Sequence, residues 1–179
     1  DDGGGRFAID ANTGVVTVAG AIDREADGPT RNITVRASSA DGSFTDQVFT
    51  IDVTDENDNA PVITPGQGFI VAENATNGTG VGTVVAADAD TVGSLQDWTI
   101  TAGNNDGIFA IDSVTGEIRV VDNTNLDHET TPVYTLTLTV SDGLNTSTPQ
   151  TIAIDVGAMN EAPINNTPGP QVTAEDTPL

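Results

Sequence analysis

The chain contains no cysteine and no lysine: its 179 residues carry five arginines, one histidine (His128) and 27 Asp plus Glu, a formal charge of −22. Without cysteine there is no disulfide framework and no thiolate zinc or redox site. Without a basic patch there is nothing to hold phosphates, and the net field repels nucleic acid and anionic lipid while attracting cations. Aromatics make up only 4% of the residues, which argues against an aromatic platform for sugar rings. No apolar run approaches the ~18 residues of a membrane span, and the opening "DDGGGRF" lacks the charge and apolar pattern of a secretory signal.

What remains is rich in Thr, Val and Ile in alternation, bounded by Gly, Asn, Asp and Pro, so the chain reads as all-β. It also repeats itself. "FAIDANTGVV" at 7–16 returns as "FAIDSVTGEI" at 109–118, "AIDRE" at 21–25 as "NLDHE" at 125–129, and "NDNAPVI" at 57–63 as "MNEAPIN" at 159–165. The Pro61 to Pro163 spacing is 102, which makes one repeat about that long. "FIVAENAT" at 69–76 returns as "QVTAEDTP" at 171–178, placing Glu175 where Glu73 stood. The expected organisation is the second part of one repeat over 1–56, a linker over 57–60, a complete repeat over 61–158, and a linker with the first strand of a further repeat over 159–179.

Strands are expected at 68–73, 80–87, 98–102, 108–111, 117–121, 133–141 and 149–156, the count of an immunoglobulin-like Greek-key sandwich. In the sixth, Tyr134, Leu136, Leu138 and Val140 share one face and are expected in the core, as is Trp98. His128 is expected to face solvent.

The acids cluster at strand ends. "DENDNAP" at 55–61 packs Asp55, Glu56 and Asp58 with Asn57 and Asn59 into five positions, and "DAD" at 88–90 follows the second strand. Asp, Asn and Glu in an irregular segment offer the six to eight oxygens that calcium takes, whereas magnesium demands stricter geometry and zinc prefers nitrogen or sulfur. An EF-hand does not fit, because its loop positions six and twelve would be Ala60 and Gly66. A glycine-rich calcium roll does not fit either, since "GGGRFAID" occurs once.

Taken together, "DENDNAP", "IDRE" and "LDHE", "DAD", "AEN" at 72–74 and "SDG" at 141–143 resemble, in order and spacing, the motifs of the cadherin repeat, here in the tandem cadherin-like form of bacterial and archaeal surface proteins. The resemblance covers nearly the whole chain. It implies up to three calcium ions at the junction near Asn57. Asp23, Glu25, Asp55, Asp58 and Asp90 would be side-chain ligands, with a carbonyl from Glu56. A further ion would take Asn59, Asp88, Asp90 and Asp142, with carbonyls from Asn57 and Asp97. The glutamate that the family supplies from a preceding opening strand has no counterpart in this sequence, so two of those sites are expected to be incomplete. At the second junction Glu73, Asp127 and Glu129 are in place, but Gly157, Asn160 and Glu161 depart from the family pattern and weaker binding is expected.

The functional expectation is a calcium-stiffened extracellular spacer or adhesion repeat of a surface adhesin or filament, without enzymatic activity. Three rival readings use the same residues: a salt-adapted acidic surface-layer or filament scaffold assembling by strand donation with little calcium dependence, a glycan-binding module, and a hydrolase accessory domain. Partners are expected to be neighbouring repeats. A tail at 164–179 that matches an opening strand suggests a homo-polymer built by strand donation, against the alternative of a boundary without functional meaning. Sequons for N-glycosylation stand at Asn32, Asn74, Asn77, Asn145 and Asn165.

Overall fold

A computed structural model describes residues 1–162, so the tail at 164–179 and the sequon at Asn165 lie outside the described residues. The described part is all-β except for one helical turn. The first segment contains β1 (Phe7–Ile9) and β2 (Val16–Val18), the turn α1 (Arg24–Asp27), and the long pair β3 (Thr30–Ser38) and β4 (Phe44–Asp52). The complete repeat runs β5 (Val62–Ile63), β6 (Gly68–Ala72), β7 (Gly80–Thr83), β8 (Ala86–Ala87), β9 (Gln96–Ala102), β10 (Phe109–Ile111), β11 (Glu117–Val120), β12 (Val133–Ser141) and β13 (Gln150–Gly157). Its two main sheets are β6-β13-β12-β9 and β10-β11-β7, with β5 paired to β8. Strands β12 and β13 are antiparallel, while β6 lies parallel to β13.

Period-two alternation builds the core. Tyr134, Leu136, Leu138 and Val140 on β12 are buried, as are Ile152, Ile154 and Val156 on β13, and they meet Trp98, Phe109, Ile118 and Val120 from the other strands. Phe109 and Tyr134 pack edge to face at 5.3 Å, and the Tyr134 hydroxyl donates to Asn125 O at 3.2 Å. Ile152 has no exposed surface. Ile152→Val is therefore expected to cost about 1 kcal/mol, read as a lower urea midpoint with an unchanged slope.

The repeated FAID-x-x-T-G phrase has a local cause. Asp10 Oδ1 accepts from Asn12 N and Thr13 N, and Asp112 Oδ1 accepts from Val114 N and Thr115 N. Gly14 and Gly116 each close the turn at φ 72°, in the left-handed region that glycine enters without penalty. Gly116 also lies flat against the Trp98 indole, so that a Cβ there would sit 3.0 Å from the ring.

Four details differ from the sequence reading. The strand expected at 80–87 is two strands, because Val84 N donates to Gly116 O while Val85 N donates to Gln67 Oε1, and the chain there passes from one sheet to the β5 pair. The two-residue β5 is too short to leave a periodic signal. His128 is half-buried rather than solvent-facing, with Nδ1 2.6 Å from Val156 O. Pairs Ile33↔Phe49 and Leu136↔Ile152 occupy equivalent places at an offset of 103. With Pro61 and Pro163 102 apart, the stretch between the last long strand and the linker motif is one residue shorter in the second copy than in the first.

In the first segment β3 and β4 pair only with each other among the described residues. Phe7 and Ile33 are buried, but Ile9, Val16, Val18, Phe44, Val48 and Phe49 stay exposed.

Candidate metal centre

Four segments meet where the first segment joins the β5–β13 unit: the α1 turn, the stretch after β4, the loop after β8, and the β12–β13 turn. Asp23 caps α1, its Oδ1 accepting from Ala26 N at 2.8 Å, as an N-cap acid should. That turn presents Glu25 toward the linker. Glu25, Asp55 and Asp90 each bring a carboxylate oxygen to within 4.8 Å of the others, and Asp88, Asp90 and Asp142 do the same. Asp90 belongs to both groups. It is 8% exposed, and Asp142 is 3% exposed.

Charges this close and this dry need a counter-charge. Among the described residues, three buried carboxylate oxygens have no hydrogen-bond partner: Asp55 Oδ1, Asp88 Oδ2 and Asp142 Oδ2. The opposite oxygen of each is occupied. Asp55 Oδ2 accepts from Thr91 N at 2.7 Å, from the Thr91 hydroxyl, and from Arg24 at 2.9 Å. Asp88 Oδ1 accepts from Asp90 N at 3.2 Å. Asp142 Oδ1 accepts from Leu144 N and Asn145 N, both at 2.7 Å. One oxygen of each carboxylate is thus satisfied by the protein, and the other is left unpaired. The donor set is all oxygen, which suits calcium.

The linker is stitched to the same groups. Asn59 N donates to Asp90 Oδ2 and Asn59 Nδ2 to Asp90 Oδ1, both at 2.8 Å. From the other side, Asn145 Nδ2 donates to Asn59 O at 3.1 Å and to Asn57 O at 3.4 Å.

The acids are not electrostatically equal. Desolvation, joined by Asp55 and Asp90, pushes the Glu25 carboxyl above its ordinary value. Asp55 is held below it, chiefly by the Thr91 hydroxyl. Burial works to raise Asp142, but the N–H groups of Asn145 and Leu144 outweigh it and the net shift is downward.

Of the residues expected at this junction, the structure brings together Glu25, Asp55, Asp88, Asp90 and Asp142, with Asn57 and Asn59 alongside. Asp23, Glu56, Asp58 and Asp97 stand outside the carboxylate groups among the described residues. Asp58 Oδ1 accepts from Asn59 Nδ2. Asp97, at φ 53°, offers its carbonyl to the Thr99 hydroxyl at 3.0 Å. Arg24, Thr91 and Asn145 are participants that the sequence reading did not assign. Arg24 was visible only as part of "IDRE", Asn145 only as a sequon, and Thr91 carried no signal.

At the far end Glu73, Glu129 and Glu161 form a third carboxylate group. Here the protein consumes the oxygens itself: Glu73 Oε2 accepts from His128 N at 2.9 Å and Oε1 from Met159 N. Those two N–H groups hold Glu73 below its ordinary range. Asp127 is spent on Glu129 N, Thr130 N and the Thr130 hydroxyl, and Asn160 is exposed. The Glu129 N–H lowers its own carboxyl, but desolvation and the Glu73 charge prevail and raise it. No buried carboxylate oxygen in this group lacks a partner among the described residues.

Among the sequons, Asn32 Oδ1 accepts from the Thr50 hydroxyl and Asn77 Oδ1 from Asn123 N, and Asn74 is exposed.

A family model described as "Cadherin domain" matches residues 67–157. The chain is 36% identical over 165 residues to human Protocadherin Fat 1, covering 88% of this chain and 3% of that protein. It is 33% identical over 188 residues to Cadherin-1 of Gallus gallus, covering 97% of this chain and 21% of that one. The crystal structure of the human Desmocollin-1 ectodomain superimposes with a TM-score of 0.66 at 29% identity, over 85% of this chain and 30% of that chain. The chain thus spans a small fraction of the length of these relatives. All three are vertebrate proteins, so they lend no support to a microbial form of the array.

Proposed function

The chain belongs to the cadherin family, and from that premise we propose that it is a calcium-stiffened spacer of an extracellular tandem array, with residues 57–60 linking the repeat that ends near Glu56 to the complete repeat at 61–158. The observation that carries this reading is the set of orphaned oxygens on Asp55, Asp88 and Asp142, contributed from both sides of the linker and converging around Asp90. Bound calcium supplies fixed positive charge. The chain supplies ligands from two sandwiches, so that neutralising their repulsion also sets the angle between them. Neighbouring repeats are the partners, and the role is mechanical and adhesive rather than enzymatic.

Ion loading is proposed at the two clusters that share Asp90. The second junction, where backbone N–H groups already occupy Glu73, is proposed to bind more weakly. Oxygen donors in irregular segments favour calcium over zinc, and magnesium demands stricter octahedral geometry than calcium.

Isothermal titration tests the reading. Wild-type protein is expected to take up calcium with saturable heats, and no uptake at millimolar calcium would exclude it. Protons provide a second readout. Glu25 has a folded pKa above its ordinary 4.5, so in the metal-free protein its contribution to stability is present below that value and is lost as pH rises through the folded pKa. Asp55 and Asp142, lowered from 3.8, contribute above that value and lose it as pH falls through theirs. As pH falls toward the raised Glu25 pKa, calcium is therefore expected to displace a proton mainly from Glu25. The apparent enthalpy there is expected to vary with the ionisation enthalpy of the buffer, and Glu25→Gln is expected to abolish that variation.

A further inference from the structure

We propose that Asn145 is a positioning residue for the Asp88, Asp90 and Asp142 cluster, and that its side-chain amide is consequently closed to glycosylation although it heads an Asn-Thr-Ser sequon. The inference rests on the calcium reading above.

Asn145 is half-buried at the end of the β12–β13 turn, three residues after Asp142. Its backbone holds Asp142 in place twice: Asn145 N donates to Asp142 Oδ1 at 2.7 Å, and Asn145 O accepts from Asp142 N at 3.2 Å and from the Ser141 hydroxyl at 2.7 Å. With Oδ1 saturated, Asp142 Oδ2 is the oxygen left buried and unpaired. The Asn145 side chain then reaches across 86 to 88 residues of sequence. Its Nδ2 lies 3.1 Å from Asn59 O, 3.4 Å from Asn57 O and 3.4 Å from Asn57 Oδ1. A primary amide has two hydrogens, so these are shared bonds.

A carbonyl oxygen has two lone pairs, and a donor on one leaves the other available. Asn145 therefore sets the direction of two linker carbonyls without using them up, and it ties them to the same turn that carries Asp142. Asp90 holds Asn59 from the opposite side. The linker is thereby clamped between two residues of the complete repeat before any ion arrives, which lowers the ordering cost of binding.

The same bonds bear on the sequon. An N-linked sugar replaces one of the two Nδ2 hydrogens and cannot coexist with the clamp. Ser147, its third residue, is 5% exposed and its hydroxyl accepts from Val140 N at 3.0 Å, so the folded site is closed at both ends.

The test compares wild type, Asn145→Ala and Asn145→Asp by calcium titration and by terbium(III) luminescence lifetimes in H2O and D2O, which count bound waters. Both variants are expected to weaken binding roughly 10-fold, the size of an outer-shell loss, and to raise the water count by about one as a carbonyl turns away. Asn145→Asp is decisive because it keeps the shape and adds a negative charge. If the residue acted only through charge, that variant would bind calcium more tightly. Tighter binding by Asn145→Asp, or wild-type affinity and hydration in Asn145→Ala, overturns the proposal while leaving the calcium reading intact. Failure of the wild type itself to bind overturns both. A glycan found on Asn145 in folded, calcium-loaded protein also overturns it.

Discussion

Calcium is expected to raise the thermal unfolding midpoint by roughly 10 °C or more and to lengthen the particle in small-angle scattering, with both effects reversed by a chelator. The thermal part follows from linkage. An ion that binds only the folded junction, at a free concentration ~100-fold above its Kd, adds about 2.7 kcal/mol to stability. Each kcal/mol moves the midpoint by about 4–8 °C in a domain of roughly 60–100 residues, the size of one repeat, so one occupied site at that excess reaches the stated shift. The scattering part follows from geometry. Glu25 and Asp55 belong to the first repeat and its linker, Asp88, Asp90 and Asp142 to the second, and both carboxylate groups pass through Asp90. Without a cation these charges repel across the hinge, held together by the Arg24 pair and the Thr91 bonds to Asp55. On the proposed reading a cation gives them a shared counter-charge, and the hinge angle is expected to narrow to one value. Identical scattering curves with and without calcium would remove the stiffening claim even if the midpoint rose.

Asp90→Asn is the substitution expected to do most harm to calcium binding, by at least about 100-fold, beyond the ~10–100-fold that losing an outer-shell partner costs. Asp90 is the one residue shared by the two groups at the first junction, so its replacement removes a charged ligand from both at once. Asparagine keeps the shape and an acceptor for Asn59 N, which bonds Asp90 Oδ2 at 2.8 Å, and gives up only the acceptor that Asn59 Nδ2 uses on Asp90 Oδ1. It also relieves repulsion in the metal-free cluster. The expected pattern is a midpoint unchanged or higher in chelator, together with loss of the calcium-induced rise. Asp106→Ala, at an exposed turn carboxylate outside the groups, is expected to keep the full rise. A calcium response in Asp90→Asn equal to that of the wild type would show that the two groups do not act through this residue.

These expectations depend unequally on what could be read before the fold was known. The alternation at Tyr134, Leu136, Leu138 and Val140 named the inward face of β12, because in a strand the side-chain period alone decides it. The motif acids Asp55, Asp88 and Asp90 were legible because each sits in a short phrase beside its own strand end. The split of 80–87 into β7 and β8 was not legible, since residues 84 and 85 look like any strand interior until Gly116 and Gln67 arrive to bond them. His128 in the Arg position of its motif looked solvent-facing, and only the proximity of Val156 O draws it inward.

The sequence by itself determined the all-β class, the repeated motifs, the core face of the long strands and the neighbourhood in which acids gather, because each of these depends on local periodicity or on contiguous motifs. Only the tertiary structure decided which oxygens are orphaned, that Asp90 joins two carboxylate groups, and that Thr91 and Asn145 brace Asp55 and the linker. Those contacts join residues 36 to 88 positions apart. Their geometry is set by how the stretch after β4 lies against the β5–β13 unit, a property that no single segment encodes.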